Sequence, residues 1–313
     1  MRSATQSLTE SKNYLLENKG VAIPLACIIG LLTFFWFIYA TFPDHTTRSE
    51  QVFWWMKDSW RGRSFLEHGI AIPFAFIAML VVAWRVSKDE LYTSGKIGIP
   101  MMIFGILFYL ASARTIQPRV ALVGIPFILS GGFIYVLGRA KGKHFIFPSF
   151  FWYFAVPIPQ LEQVTSLLQL IITKACFAVG TWMGMNLINA GNTISSGDGS
   201  WGTDFNIAEG CSGMRSLFAL IIIAAIYGYY TQDKLWKKCV IFASAIPMAI
   251  IGNFVRIFTI LVIAEMGYAD FAKGIYHDWS GLLVFFPVAL LGIFCLDRLM
   301  NRKKRKLVRR KKS

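Results

Sequence analysis

Charged residues are scarce in this sequence, and their scarcity excludes one large class of proteins. Only 16% of the 313 residues are Asp, Glu, Lys or Arg, whereas 55% are hydrophobic. So few charges do not cover the surface of a water-soluble globular protein, which excludes that class. The sequence also contains no internal repeat, no disordered linker and no separate soluble domain. We therefore predict a single polytopic membrane domain over residues 1–313.

Long apolar runs are abundant instead, and they determine the predicted architecture. A helix needs roughly 20 residues to cross about 30 Å of hydrocarbon. Eight runs meet this length, near residues 21–41, 68–85, 97–113, 120–137, 161–190, 211–230, 236–266 and 280–299. A ninth run, residues 144–158, is short and ends in Pro157-Ile158-Pro159, so we predict a re-entrant or interfacial segment. The predicted fold is an all-α membrane bundle of about eight transmembrane helices plus this segment.

The basic residues predict how these helices are oriented. Loops rich in Lys and Arg stay on the cytoplasmic side of a membrane. Residues 1–20, 85–96, 139–143, 231–238 and 298–312 hold 22 of the 32 basic residues, and the opposite loops hold 7. We therefore predict a multi-pass protein of the cytoplasmic membrane with both termini cytoplasmic. The basic tail, residues 301–313, is expected to contact anionic membrane lipids. No recognition module accompanies the tail, so we predict no nucleic-acid partner.

Two segments outside the predicted helices are distinctive. Residues 42–67 carry three Trp among charges, which is typical of an outer interfacial amphipathic stretch. Residues 191–210 form a polar, Gly-rich loop with the turn signal Gly197-Asp198-Gly199. Thr193-Ile194 and Phe205-Asn206-Ile207 are expected to pair across it as a short extracytoplasmic hairpin. The loop either guides an extended peptide or simply connects two spans.

Cys211 is the cysteine whose position favours reactivity. It opens a helix after Glu209-Gly210, where free backbone N–H groups and the helix dipole favour a thiolate. Arg215, four residues later, returns to nearly the same helical face, and a nearby cation lowers the pKa of a thiol further. The other cysteines, Cys27, Cys176, Cys239 and Cys295, lie in apolar runs and are predicted to be small core residues.

Arg256 and His277 are the other candidates for chemistry. Arg256 lies inside an apolar run, where a guanidinium costs at least about 2.5 kcal/mol unless it is paired or hydrated. Asn253, about one turn earlier, adds a second polar group on a similar face. His277 precedes the last span and is able to act as a general acid or base. Asp278 is adjacent to it, and we do not count it as the carboxylate that orients the imidazole.

Helix lengths place these groups at one depth of the membrane. At 1.5 Å per residue, Cys211, Arg256 and His277 lie about 35, 27 and 32 Å along their helices from the nearest basic loops. Each distance ends near the outer boundary of a 30 Å hydrocarbon core. Neighbouring antiparallel helices pack together when the loops are short, so a shared cleft on the outer face is expected.

These motifs resemble those of the exosortase/archaeosortase family of membrane transpeptidases. The resemblance rests on Glu209-Gly-Cys-Ser-Gly-Met-Arg215-Ser, Asn253-Phe-Val-Arg256-Ile and His277 before a final span, in the order of the family. It covers roughly residues 120–300, which would form the catalytic core, whereas residues 1–119 resemble the family only in hydropathy and are predicted to be scaffold. The chain ends soon after its last span, so the soluble domain of some relatives is expected to be absent.

The resemblance implies a protein-sorting enzyme on the outer face of the membrane. Its substrates would be secreted proteins with a C-terminal motif such as Pro-Glu-Pro, a transmembrane helix and a basic tail. Cys211, Arg256 and His277 match the catalytic trio of the family, and Arg215 matches another characteristic position, with Glu209 and Asn253 as supporting residues. Cleavage would transfer the new C-terminus to a lipid or polysaccharide acceptor of the cell envelope. No cofactor and no metal are predicted.

Other classes of protein stay open at this level. A transporter would place Arg215, Arg256 and Lys174 around an anionic solute. A thiol oxidoreductase would need a partner cysteine near the outer face, where the sequence has none besides Cys211. An envelope-assembly protein without catalysis is the third alternative, and labelling of Cys211 by an acyl probe would exclude it.

Overall fold

The computed structural model describes residues 42–43, 49–50, 52–61, 67–91, 93–156, 161–206 and 213–302. For residues 42–43, 49–50, 58–59, 61, 67–68, 161–165 and 213–215 the description covers the backbone alone. The predicted first span, residues 21–41, lies outside the described residues. The chain divides into two compact units, Met1–Ile158 and Pro159–Ser313. The described chain is mostly helical, as predicted.

In the first unit the helices form where the sequence has apolar runs. Gly, Pro and charged residues lie between these runs. A short antiparallel pair of strands, β1 (Phe42–Pro43) and β2 (Ser49–Glu50), precedes helix α1 (Val52–Arg61). The longer helices are α2 (Ile72–Val86), which follows a 3-10 turn (Glu67–Ala71), α3 (Gly98–Thr115) and α4 (Pro118–Gly142). Another 3-10 turn (Lys143–Phe145), helix α5 (Ile146–Phe151) and a last 3-10 turn (Trp152–Ala155) follow.

Helices α3 and α4 pack tightly because glycines meet where they cross. A Cβ on Gly105 would lie 2.6 Å from the carbonyl oxygen of Gly124, and one on Gly131 would lie 2.6 Å from that of Gly98. A larger side chain at either position would therefore push the two backbones apart. Small residues at a crossing allow transmembrane helices to approach closely in this way.

Residues 144–156, the described part of the predicted short segment, fold back along α4. Gly138, at φ 79° and ψ 163°, interrupts the helical backbone of α4 in a conformation that glycine adopts readily. The rings of Phe133 and Phe145 then stack with their centroids 4.6 Å apart, and the Tyr153 hydroxyl donates to the Val123 carbonyl at 2.9 Å. The segment therefore lies antiparallel to α4.

Helix α1 is amphipathic, as predicted for residues 42–67. Val52, Met56 and Trp60 recur every four residues and are buried, whereas Trp54 is 42% exposed. The Trp60 indole N–H donates to the Ala155 carbonyl at 2.9 Å. This bond docks the apolar face of α1 on the segment that follows α4.

The second unit contains the predicted active-site helices. It begins with α6 (Leu161–Trp182) and the strands β3 (Leu187–Ala190), β4 (Thr193–Ser196) and β5 (Phe205–Asn206). Helices α7 (Gly213–Thr231) and α8 (Leu235–Glu265) follow. The last part consists of α9 (Ala269–Phe271), a π turn (Ala272–Tyr276), α10 (His277–Ser280), a second π turn (Gly281–Phe285) and α11 (Phe286–Met300).

The predicted span at residues 161–190 is wrong at its C-terminal end. Helix α6 ends at Trp182, and Gly184 adopts a left-handed φ of 91°. The amide of Gly184 bonds to the carbonyl of Thr181, and that of Met185 bonds to the carbonyl of Gly180. This pattern is a Schellman motif, which satisfies the last carbonyls of a helix and stops it. The residues Leu187–Ala190, which are apolar except for Asn189, belong to β3 instead.

The three strands form one antiparallel sheet in the order β3-β4-β5. Thr193 pairs with Asn206 and Ile194 pairs with Phe205, which confirms the predicted pairing across the Gly-rich loop. Strand β3 was not expected, because its residues read as the continuation of an apolar span. It pairs with the full length of β4.

A single hydrophobic cluster joins this sheet to the helices of the second unit. Ile194, Trp201 and Phe205 of the sheet region are buried against α6, α8 and the residues after α8. The helical members of the cluster are Ile172, Cys176, Ile257, Ile260, Leu261, Ala264, Ala269 and Ala272. The sheet therefore lies beside the C-terminal part of α8.

An apolar helix lies in every predicted span that falls within the described residues, although α6 ends before its predicted span does. Five segments there are long and apolar enough to cross a membrane: Gly69–Val86, Gly98–Thr115, Pro118–Ala155, Leu235–Glu265 and Ala269–Met300. Two shorter apolar helices, Ser166–Trp182 and Ser216–Thr231, coincide with two further predicted spans.

The cysteines outside the predicted site do not all belong to the core. Cys176 is buried, as predicted, but Cys239 and Cys295 are exposed on α8 and α11. An apolar residue of a membrane helix contacts either the protein interior or the lipid, and lipid is as apolar as a core. Apolar neighbours in the sequence therefore do not predict burial in such a chain.

Candidate functional site

Arg256 is the centre of the candidate site in the second unit. Its side chain lies on α8 and is only 7% exposed. The Nε of Arg256 donates to the Ser280 hydroxyl at 2.8 Å, and its Nη2 donates to the His277 carbonyl at 3.1 Å. The Ser280 hydroxyl itself donates to the same carbonyl at 2.8 Å. The guanidinium is thus bound to both ends of the short helix α10.

The helix that carries His277 has an irregular backbone on both sides. A π turn, Ala272–Tyr276, precedes α10, and a second π turn, Gly281–Phe285, follows it. Each π turn widens the helix, and such bulges occur frequently at functional sites. Two hydrogen bonds link the first π turn to α8. The Tyr276 hydroxyl donates to the Thr259 hydroxyl at 2.9 Å, and the Thr259 hydroxyl donates to the Arg256 carbonyl at 2.8 Å.

His277 itself is half-buried. Its Nδ1 lies 3.4 Å from Oδ1 of Asp278, whose side chain is 79% exposed. This separation is longer than a normal hydrogen bond to nitrogen, and solvent screens the carboxylate. The contact is therefore weak.

Asn253 is a buried polar group of the helix that carries Arg256. It lies three residues before Arg256 on α8 and is 3% exposed. Its Oδ1 makes no hydrogen bond to any residue that the structure describes. A buried amide oxygen without a donor is destabilising, by about 1–3 kcal/mol. The Asn253 Oδ1 is therefore a buried acceptor whose donor is not among the described residues.

Cys211 and Glu209 lie outside the described residues. Arg215 lies in the first turn of α7, where the structure describes the backbone alone. The structure thus joins two of the six predicted site residues, Arg256 and the backbone of His277, and places Asn253 three residues before Arg256 on α8. The contacts of the other three stay predictions.

Sequence reasoning missed three residues of this arrangement, Ser280, Thr259 and Tyr276. Ser280 follows His277 by three residues, and Thr259 follows Arg256 by three, so each shares a helical face with a predicted residue. This spacing is a usable signal. The side chain that Ser280 binds, however, comes from another helix and is not visible in the sequence.

The sheet is docked next to the chain that leads to His277. The Trp201 indole N–H donates to Oε2 of Glu265, the last residue of α8, at 3.1 Å. Lys273, in the π turn before His277, donates to the Thr203 hydroxyl. The loop between β4 and β5 therefore contacts both sides of the turn between α8 and α10.

Asp198 stabilises the loop of this sheet. It accepts hydrogen bonds from the Ser196 hydroxyl and from the Ser200 amide, and these bonds lower the pKa of Asp198 to about 2. The carboxylate is therefore ionised at neutral pH.

Among the described residues, no group of three or more His, Cys, Asp or Glu side chains could hold a metal ion.

Comparison with known families identifies the chain. A family model described as transmembrane exosortase matches residues 54–295. The match covers well over half of the chain, so this protein belongs to the transmembrane exosortase family, as its motifs predicted. Comparisons with curated proteins and with solved structures find no match. The family and the apolar helices together establish a transmembrane protein.

Replacing Ser280 with alanine is expected to destabilise the second unit. The change removes the acceptor of the buried Arg256 Nε, and a lost hydrogen bond to a charged group costs about 1.5–3 kcal/mol. Thermal unfolding of the purified protein in detergent measures the effect. Ser244→Ala is the control, because the Ser244 hydroxyl is also buried but bonds to Ile241 in its own helix. An equal loss in both variants would contradict the role of Ser280.

Proposed function

We propose that this protein is a membrane cysteine transpeptidase that cleaves C-terminal sorting signals of secreted proteins. The observation that carries the proposal is the buried Arg256 guanidinium bound to the turn of His277. A buried charge of this kind is costly in a membrane helix and marks a functional site. In a family of cysteine transpeptidases, that site is best explained as the place of acyl transfer.

The reaction would begin with Cys211. Its thiolate attacks the scissile carbonyl carbon, and a thioester forms as the peptide C–N bond breaks. His277 donates a proton to the departing amine, so this amine leaves in neutral form. In the second step His277 takes a proton from the acceptor, which attacks the thioester and releases the Cys211 thiolate. The acceptor would be a lipid or a polysaccharide of the cell envelope.

Arg256 would stabilise the oxyanion that forms in each step. A guanidinium has five N–H donors, and the contacts with Ser280 and His277 use two of them. The others make no hydrogen bond to the described residues, so they are available to a negative oxygen. A rigid donor in a site that excludes water stabilises such a charge strongly. The bonds to Ser280 and His277 would keep the donor rigid.

The packing of α7 and α8 supports a position of Cys211 near Arg256. A Cβ on Gly228 of α7 would lie 3.2 Å from the Ile241 side chain of α8, and the two helices are joined by a short link. Both helices rise by about 1.5 Å per residue. Gly213, at the start of α7, is therefore level with about residue 256 of α8. Cys211 precedes Gly213 by two residues.

The remaining predicted residues would act on the substrate and the nucleophile. Arg215 either keeps the Cys211 thiol ionised or binds the acidic residue of the substrate motif. Asn253, whose buried Oδ1 has no donor among the described residues, would support the site from α8. Glu209 precedes Cys211 in the same motif and is proposed to support it. Lys174 is exposed whereas Arg256 is buried, which does not favour a shared anion site of a transporter.

We further propose eight transmembrane helices, with both termini in the cytoplasm and the site on the outer face of the cytoplasmic membrane. The distribution of basic residues supports this orientation. The segment at residues 144–158 would be re-entrant. Its contacts follow α4 from Phe133 back to Val123, which is about 15 Å of helix and half of a 30 Å core.

Cleavage of a reporter protein in cells tests the proposed function. The reporter carries a C-terminal Pro-Glu-Pro motif, a transmembrane helix and a basic tail, and mass spectrometry locates its new C-terminus. We expect cleavage next to the motif, and a rate about 10²-fold lower with His277→Ala, because the general acid is lost. His144→Ala is the control, since His144 bonds to Glu90 in the first unit.

Two outcomes would contradict the proposal. One is full cleavage by His277→Ala at the same expression level as the wild type. The other is an uncleaved reporter in cells with the wild-type chain, when the reporter carries the same C-terminal motif as the secreted proteins of those cells.

A further inference from the structure

A pocket in the first unit lies between α2, the end of α4 and the 3-10 turn that follows α4. Its cavity has a volume of about 320 Å³. The apolar part of its wall consists of Leu80, Val81, Trp84, Phe133 and Phe145. Phe145 is only 3% exposed and stacks on Phe133, so the floor of the pocket is a rigid aromatic pair. An apolar cavity of this kind favours a hydrocarbon group.

Two cations complete the lining of the same pocket. Arg85 lies in the last turn of α2, and Lys88 lies two residues after the helix ends. Both side chains are exposed. Neither forms an ion pair with any residue in the described part of the chain. A third cation is near, because Nζ of Lys141 lies 5.3 Å from the centre of the Trp84 ring. The mouth of the apolar pocket is therefore positively charged.

The nearby acidic residues do not neutralise these cations. Glu90 bonds to Lys143 at 2.9 Å and to His144 at 3.0 Å, and these contacts lower the pKa of its carboxyl. Asp89 is exposed and makes no ion pair with a described residue. Arg85, Lys88 and Lys141 therefore remain available to an external anion.

We propose that this pocket binds one anionic phospholipid. Part of an acyl chain would occupy the cavity next to Phe133 and Phe145, and the phosphate would lie between Arg85 and Lys88. In a membrane protein, lipid is the abundant molecule that joins a hydrocarbon chain to a negative group. Basic pockets between transmembrane helices bind anionic headgroups in this way. The half-buried indole of Trp84 has the amphipathic character that suits headgroup depth.

Charge complementarity decides between anionic and zwitterionic lipids. Each Lys or Arg near a membrane surface attracts an anionic headgroup measurably, and a zwitterionic headgroup lacks the net charge that produces this attraction. The pocket is therefore expected to retain phosphatidylglycerol and to lose phosphatidylcholine. The proposed lipid site requires that the chain lies in a membrane, and it does not require the proposed reaction.

Native mass spectrometry of the full-length protein tests the proposal. The protein is purified in detergent that contains phosphatidylglycerol or phosphatidylcholine at equal concentration, and bound lipid is counted per chain. We expect one tightly retained phosphatidylglycerol, and a ~10-fold lower retention in Arg85→Gln/Lys88→Gln. Val81→Trp, which fills the cavity and keeps both charges, is expected to lower retention as well.

A matched double variant serves as the control. Arg114→Gln/Lys234→Gln also removes two exposed positive charges, but neither residue lines the pocket. It is expected to retain the lipid as the wild type does. Equal retention of the two lipids by the wild type would overturn the proposal, and so would unchanged retention in Arg85→Gln/Lys88→Gln. Equal losses in the control and the pocket variant would indicate general surface attraction and reject the site.

Discussion

Cys211→Ala is expected to abolish cleavage of a sorting-signal reporter. In the proposed reaction the Cys211 sulfur forms the covalent bond to the substrate, and alanine has no nucleophile to replace it. Loss of a nucleophile in enzymes of this type lowers the turnover rate by at least about 10³-fold. The uncleaved reporter should accumulate in the membrane, and immunoblotting of the membrane fraction measures it.

Two further cysteines provide matched controls for this result. Cys239 and Cys295 are exposed thiols on α8 and α11, so their replacement by alanine disturbs no packed core. Both variants are expected to cleave the reporter at the wild-type rate. Cleavage by Cys211→Ala at more than a tenth of the wild-type rate would remove the basis of the proposed mechanism.

The same variant separates an acyl enzyme from a scaffold. With wild-type protein, hydroxylamine should release the reporter as a hydroxamate, because a thioester reacts readily with this nucleophile. Cys211→Ala should give no hydroxamate, whereas Cys239→Ala and Cys295→Ala should give as much as the wild type. A protein that only assembles the envelope would give none in any variant.

Arg256→Gln is expected to lower the turnover rate by about 10³-fold with little change in KM. An oxyanion donor acts in the transition state, and loss of one such donor costs about 10²–10³-fold in turnover. Arg256 also binds Ser280 and the His277 carbonyl, so its loss releases the turn of the proposed general acid. Kinetics with a purified reporter in detergent measure both constants.

Arg256→Lys tests whether geometry matters in addition to charge. An ammonium is a point charge and does not reproduce the planar fork that binds Ser280 and His277 at the same time. We expect Arg256→Lys to be almost as inactive as Arg256→Gln. Arg298→Gln, at an exposed position of α11, is expected to behave as the wild type.

The comparison with Ser280→Ala distinguishes catalysis from stability. Both Arg256→Gln and Ser280→Ala remove the bond between Nε and the hydroxyl, so both should lower the unfolding temperature. Only Arg256→Gln removes the guanidinium, so its turnover should fall much further. If the two variants lose turnover equally, Arg256 acts through the structure of the turn and not as an oxyanion donor.

Most of the helices were predictable from the sequence. Hydrocarbon offers no hydrogen bonds, so a long apolar run in a membrane protein has to be helical to satisfy its backbone. This rule placed α2, α3, α8 and α11 correctly. It failed after Trp182, because apolar residues also form strands and only the backbone of Gly184 stops the helix.

Part of the candidate site was predictable as well. An arginine in an apolar helix needs a partner, which is why Arg256 was recognisable, and the order of the motifs pointed to the exosortase family. The partner itself was not predictable. Ser280 contacts Arg256 from 24 residues away, across two helices and a π turn.

The sequence by itself determined the membrane class, the family and the position of the apolar helices, because these depend on composition and local order along the chain. Only the tertiary structure decided that Ser280 and the His277 carbonyl receive the Arg256 guanidinium, that residues 144–156 fold back along α4, and that a charged pocket forms beside Trp84. Each of these contacts joins residues far apart in the chain. Their free energy depends on how the helices pack, which no local pattern records.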